Sequence, residues 1–312
     1  RVRFREGKPE NLRGYEKFSD TDSNPAEIIN GIPRDILTWT DNNTRPYVAL
    51  GTNQQLYVVQ NEEFHDVTPV IFTTSVNGNF KTVTTDGEAA KVEVSVNSLP
   101  TLEAGQRVEF KDVDTFSGVS VNGTKTIVSV IGTTKFTVST SNNVSATAAA
   151  TGQGSAGSIN ILLKPESTDD IQGLGYGAGV YNASSTGPGR AWNEEATESN
   201  IVFLANQWTL DTWGEDLLAL RRGGRLLYMD TTLSAIPIRA IEVSTAPLSN
   251  TFVVSPNDRH VICYGSKTFA ASAAAPIDNM VVRWSKQEDF EQWDPTVTGS
   301  NSGEVVLTEG SR

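Results

Sequence analysis

No window of twelve or more residues in this chain keeps a 3.6-residue apolar period, whereas short runs rich in Val, Ile, Tyr, Phe and Thr recur throughout between Gly, Asn, Asp and Pro. That pattern excludes helical bundles and alternating α/β architectures and predicts an all-β chain. The runs are Tyr47–Leu50, Gln55–Val59, Lys91–Val96, Arg107–Phe110, Thr126–Val130, Lys135–Val138, Ile201–Leu204, Leu217–Leu220, Arg225–Met229, Thr251–Val254, His260–Tyr264 and Met280–Trp284. Tight turns are expected at Gly51-Thr52-Asn53, Asn122-Gly123, Gly132-Thr133 and Gly223-Gly224, where Gly or Asn tolerates positive φ. Pro25–Asn30 reads as a single helical turn.

Composition narrows the function classes. The longest apolar runs fall far short of the ~20 residues that cross a bilayer, so no membrane span is expected. A single cysteine, Cys263, excludes an intramolecular disulfide and a thiolate zinc cage. With 25 Lys+Arg against 37 Asp+Glu the formal charge is −12, which argues against broad capture of nucleic acid by a positive surface. The chain starts at Arg1 with no signal-like segment and reads as the ordered part of something longer.

The aromatic residues divide the chain. All six Trp and both His fall within residues 1–69 and 170–312, while 70–165 holds no Trp, Tyr or His. Three parts are expected: 1–69, an N-terminal hairpin and first blade; 70–165, an inserted small β-sandwich or barrel; and 166–312, further blades. Within the insert, Ser141–Leu163 carries no charge and reads as an extended Ser/Thr/Ala/Gly-rich loop.

The outer parts echo one another. Thr38-Trp39 precedes Tyr47–Leu50, a turn and Gln55–Val59; Thr212-Trp213 precedes Leu217–Leu220, a turn and Arg225–Met229. A second echo sets Glu63–Pro69 beside Asp289–Pro295. Trp, strand, turn, strand and a closing aromatic–Pro segment read as a four-stranded propeller blade, with a β-sandwich as the competing architecture. Blade-like units are expected at 34–69, 205–232 and 250–295, with Trp39, Trp208, Trp213, Trp284 and Trp293 as their core. A closed propeller takes about four to eight blades. Further blades are therefore expected beyond Arg312 or hidden in apparent loops, or residues 1–18 pair with a distant strand.

Several segments carry a resemblance. Val2–Phe18, Gly31-Ile-Pro-Arg34, Tyr47–Val59, Asp66-Val-Thr-Pro69, Gly175–Tyr181, Trp208–Leu217, Ser255–Gly265 and Arg283–Thr296 resemble the tail nozzle (tail tubular or tail hub) proteins of short-tailed bacteriophages. Gly105–Phe110 and Asn122–Val130 resemble small β modules of phage virion proteins. Tyr176 and Tyr181 stand where that family usually carries Trp. The resemblance implies a non-enzymatic virion tail component assembled in the host cytoplasm. It implies a homo-oligomeric ring, a hexamer, joined to a tail adaptor and other tail proteins, with viral DNA passing through the lumen unbound. An acidic lumen would repel phosphates and keep DNA from sticking. Residues 1–17 oppose the overall charge: six basic residues against three acids leave +3. Arg1, Arg3 and Arg5, with the hairpin-tip Arg221, Arg222 and Arg225, are the candidate interface or lumen residues.

Enzymatic signatures are sparse, and no catalytic, cofactor or metal site is expected. His65 and His260 lack metal-motif spacing, and Cys263, three residues beyond His260, would point to the opposite face of a strand. Gly173–Gly179 alternates its glycines instead of reading G-x-G-x-x-G, and Asp20–Asn24 opens like a calcium loop without completing one. The Asn-x-Ser/Thr triplets at Asn42, Asn122, Asn143 and Asn182 are expected by chance in a chain this rich in those residues. The acid pairs Glu62/Glu63, Glu194/Glu195, Glu215/Asp216 and Glu288/Asp289 keep a glycan-binding or glycan-cleaving protein as the alternative. That reading calls for a Trp-lined cleft with two carboxylates about 5–9 Å apart.

Overall fold

Period-two patterning takes the form of antiparallel strands throughout. The computed structural model describes residues 2–5, 8–11, 29–61, 63–75, 79–83, 91–96, 99–113, 119–140, 157–166, 207–231, 239–272 and 275–308, and these contain strands and turns but no helix. The fold is all-β. The helical turn expected at Pro25–Asn30, residues 141–156 of the loop expected over Ser141–Leu163, the glycine-rich 173–179, the calcium-like 20–24 and the strand 201–204 lie wholly or largely outside the described residues.

Three four-stranded sheets are simple meanders, the topology of a propeller blade. The first holds β3 (Pro33–Thr40), β4 (Pro46–Thr52), β5 (Leu56–Gln60) and β6 (Glu63–Asp66). The second holds β14 (Trp208–Trp213), β15 (Asp216–Arg221), β16 (Leu226–Met229) and β17 (Ile241–Glu242). The third holds β18 (Ser249–Val254), β19 (Val261–Ser266), β20 (Asp278–Trp284) and β21 (Gly303–Val306). A separate hairpin pairs β1 (Val2–Arg5) with β2 (Lys8–Asn11).

These sheets pack in series. Strand β14 lies against β3 and β4 on one side and against β18 on the other, so the first strands of the three sheets converge. One core joins the first two sheets through Tyr47, Ala49, Leu56 and Val58 against Trp208, Leu217, Ala219 and Leu227. The next joins the second and third through Leu218, Leu220 and Leu226 against Phe252, Val261 and Cys263. Leu217 to Leu220 are each at most 1% exposed, so the middle sheet is covered on both faces. That is why β15 reads as a continuous apolar run and not as an alternation; each such leucine contributes about 1.5–3 kcal/mol by leaving water.

Between the first and second meanders, seven strands form one further sheet in the order β7 (Val70–Ser75), β13 (Ser158–Leu162), β10 (Arg107–Lys111), β11 (Gly123–Ile131), β12 (Lys135–Ser139), β9 (Lys91–Ser95) and β8 (Asn79–Val83). A register irregularity in β11 between Ile127 and Ser129 marks the bend. Past it the sheet folds over its own core, bringing Phe80 of β8 to 6.3 Å from Phe110 of β10, ring centre to ring centre.

Three expectations are corrected. The loop expected over Ser141–Leu163 ends in a strand, Ser158–Leu162, whose Ile159, Ile161 and Leu162 are buried between β7 and β10 in the sheet. The second echo fails: Glu63–Asp66 is a strand, but Asp289–Pro295 is a run of turns. There Asp289 Oδ1 accepts from Glu291 N–H and Asp294 Oδ1 from Thr296 N–H, so short acids hold the turns that an extended strand would open. The closing strand of the third sheet is instead Gly303–Val306. Gly51, expected in a turn, lies inside β4; a Cβ there would sit 2.4 Å from the Trp208 ring, so the glycine exists for close packing.

Candidate functional site

The residues that carry chemistry elsewhere are occupied with structure here. His260 Nδ1 donates to the Ser285 carbonyl oxygen at 2.7 Å. Cys263 is fully buried opposite Phe252 and Arg283, and burial pushes its thiol up to about 12. His65 Nε2 stands 3.9 Å from Glu63 Oε2. Of the acid pairs, Asp216 accepts from the Tyr228 hydroxyl at 2.8 Å and Thr231 N–H at 2.9 Å, while Glu215 Oε2 accepts from Asn42 N–H at 3.0 Å. Burial, then Asp216, hold the Tyr228 phenol well above its ordinary range. Glu62 and Glu194/Glu195 lie outside the described residues. Among those described, no group of three or more His, Cys, Asp or Glu is placed to hold a metal ion.

The tryptophans divide by role. Trp208 is buried, with Nε1 donating to the Thr52 carbonyl at 2.7 Å. Trp213 meets Phe290 edge-on at 5.5 Å and carries Arg259 over its ring at 4.7 Å. Trp293 is buried in the same core. Trp39 is half-buried, stacked on Tyr47 at 5.3 Å, and donates to the Glu215 carbonyl at 2.8 Å. Trp284 lies outside the core clusters, half-buried over Gly303, with Nε1 donating to the Asn301 carbonyl at 2.9 Å.

Two of the hairpin-tip arginines face inward. Arg221 donates to the Pro165 carbonyl at 3.0 Å, and burial lowers its pKa. Arg225 donates to the carbonyls of Ser244, at 2.9 Å, and Ala246, and lies 3.4 Å from Glu242. Guanidinium donors there are bonded to backbone carbonyls, so neither is an open cationic tip. Arg222 is half-buried. Arg3 and Arg5 lie in β1, and Arg1 lies outside the described residues.

A polar junction ties the seven-stranded sheet to its neighbours. Asp66 Oδ2 lies 3.0 Å from Arg107 and 3.3 Å from Arg239, and its Oδ1 accepts the Thr68 hydroxyl at 2.6 Å. Arg239 also donates to the Thr68 carbonyl at 3.0 Å and reaches Glu109 Oε1 at 3.4 Å. Glu109 Oε2 takes Asn160 Nδ2 at 3.2 Å and Lys111 Nζ at 3.3 Å. Burial alone would raise Asp66, but the Thr68 hydroxyl, Arg239 and Arg107 hold it below the usual carboxylate range. Glu109 is lowered likewise, Asn160, Arg239 and Lys111 outweighing burial. A second clamp grips the exit segment: Arg34 takes both Glu166 oxygens at 2.9 and 2.7 Å. Sequence reasoning missed both clusters, because the partners stand up to 173 positions apart and share no motif.

A cavity of about 390 Å³ opens in the third sheet, lined in part by Arg225, Lys267, Phe269, Arg283, Trp293 and Asp294. Arg283 donates to the Trp293 carbonyl at 2.9 Å, stands 5.6 Å from the Phe269 ring centre and lies 3.7 Å from Glu304; burial lowers its pKa. Asp294 is the one carboxylate in the lining, and Thr296 holds it below its ordinary range through hydroxyl and amide bonds. The cavity therefore offers aromatic surface and cationic groups without a carboxylate pair.

No protein-family model matches the chain, and no curated protein matches it. Among solved structures, the phage phi92 endosialidase aligns over 83% of this chain at 14% identity and a TM-score of 0.26. The alignment spans 37% of that protein's length.

Proposed function

We propose that this protein is a structural, non-enzymatic component of a bacteriophage virion tail, a nozzle-like homo-oligomeric ring around the DNA ejection channel. The observation that carries the reading is the serial packing of three four-stranded meanders with converging first strands, the construction expected of a propeller. The resemblance of Val2–Phe18, Tyr47–Val59 and Arg283–Thr296 to tail nozzle proteins gives that construction its setting. The charge of −12 suits a wall that DNA passes without being held. The ring docks on a tail adaptor and other tail proteins. Negative-stain microscopy of purified protein, or of virions, tests it. Rings, and no retardation of duplex DNA at physiological salt, are expected; monomers at all concentrations, or robust turnover of a glycan, overturn it.

The third-sheet cavity favours a second reading, glycan binding, through the 41% exposed Phe269 beside basic side chains. Saturable binding in a glycan array that Phe269→Ala abolishes would establish it; no binding removes it.

A further inference from the structure

The third-sheet cavity has an uneven charge. Its ionisable lining comes from four segments: Arg225 at the β15–β16 hairpin, Lys267 after β19, Arg283 in β20 and Asp294 in the turns before β21. Three are cations and one is a carboxylate, in a chain whose net charge is −12. Carboxylates outside the lining offset the arginines only in part. Glu242 Oε1 stands 3.4 Å from Arg225 Nε and Glu304 Oε2 3.7 Å from Arg283 Nε, against about 2.7–2.9 Å for a charge-assisted hydrogen bond. The same Glu304 oxygen already accepts the Phe269 N–H at 2.6 Å. Arg283 is 6% exposed, and its buried Nε has no hydrogen-bond partner among the described residues. A guanidinium so placed has lost its water without gaining a full counter-charge.

The remaining lining constrains the occupant. At about 390 Å³ the cavity matches the pockets that take small ligands, about 300–1,000 Å³. Phe269 offers ring surface to the apolar face of a sugar. Two contacts hold it there, its N–H on Glu304 and Arg283 at 5.6 Å from the ring centre. Asp294 Oδ1 takes both the amide and the hydroxyl of Thr296, so its second oxygen is the acceptor for a ligand hydroxyl. A neutral saccharide would use Phe269 and Asp294 and leave the positive excess unmet. The chain's overall negative charge is screened beyond about 8 Å at physiological salt, so the local excess decides.

We propose that this cavity binds an acidic saccharide, with a ring on Phe269, a hydroxyl on Asp294 and a carboxylate or sulfate group among Arg225, Lys267 and Arg283. The inference rests on the glycan-binding reading of the cavity and supplies the class of glycan.

Isothermal titration calorimetry on the purified chain tests it with two pairs of probes: a glucuronate-containing tetrasaccharide against its carboxyl-reduced counterpart, and a sulfated neutral tetrasaccharide against its desulfated counterpart. At least one acidic member is expected to bind on the order of tenfold or more tighter than its neutral counterpart, and the pair that shows this identifies the acid group. Arg225→Met and Lys267→Met, each checked for folding by circular dichroism, should reduce that preference. The probe comparison uses the unaltered chain, so a variant that misfolds does not shelter the proposal. Equal binding of acidic and neutral members overturns the acidic class and leaves the glycan reading standing. An acidic preference unchanged in both folded variants overturns this cavity as the site. Binding of none of the four overturns the proposal, and the glycan reading falls with it only if the glycan array is also blank.

Discussion

The indole N–H of Trp208 donates to the carbonyl oxygen of Thr52 at 2.7 Å, and the same ring lies flush on Gly51. One side chain thus fixes where the second sheet sits on the first, across 156 residues of sequence. Gly51→Ala places a methyl 2.4 Å from the Trp208 Cγ, inside any tolerated contact. Because the neighbour is a buried ring, the expected cost is about 1–3 kcal/mol, seen as a lowered urea midpoint with an unchanged slope.

Asp66 bridges three segments, so its removal acts beyond one pair. Asp66→Ala leaves Arg107 and Arg239 facing each other without their shared carboxylate. The groups are roughly a fifth to a quarter exposed, which screens the loss, and about 1–3 kcal/mol of destabilisation is expected. A double-mutant cycle pairing Asp66→Ala with Arg239→Ala should give a coupling energy on the order of 1 kcal/mol. Additive effects would show that the two groups act independently.

Acid should loosen the same junction. Asp66 and Glu109 ionise below their ordinary range in the folded state, and unfolding returns them to about 4. The unfolded chain then binds protons that the folded chain has not yet taken up. Stability from these groups is complete above about pH 5 and is lost as pH falls through the folded values. Wild-type melting temperature should fall more steeply below pH 5 than that of an Asp66→Asn, Glu109→Gln variant.

Cys263 should be silent in the native state. Its thiol is fully buried and raised to about 12, so almost no thiolate exists at pH 8. Ellman's reagent is expected to report no reaction in buffer and one equivalent in guanidinium. Because the raised value relaxes on unfolding, the group also costs stability as pH climbs above about 8.5.

Much of this architecture was legible in sequence because strand periodicity and glycine turns are local. Leu217–Leu220 and Arg225–Met229 announce a hairpin, and the structure joins them as one. What was not legible is either very short or long-range. Ile241–Glu242 is a two-residue strand with no pattern to detect. Asp289–Pro295 copies the residue types of Glu63–Pro69, yet its acids close turns. Arg221 and Arg225 read as hairpin-tip interface or lumen candidates because sequence shows their charge but not the backbone carbonyls to which they donate. The Asp66–Arg107–Arg239–Glu109 junction exists only once three distant segments have met.

The seven-stranded sheet enters at Val70 and departs at Leu162, and these two residues are register partners on adjacent strands. To the rest of the molecule, ninety-odd residues of chain therefore present the same two closely spaced ends as a tight hairpin would. Loop-closure entropy is settled at that one pair, whatever lies beyond it. The position is a socket: the sheet mounted there can be lengthened, exchanged or deleted, and the three meanders keep their register so long as Val70 and Leu162, or their replacements, stay side by side.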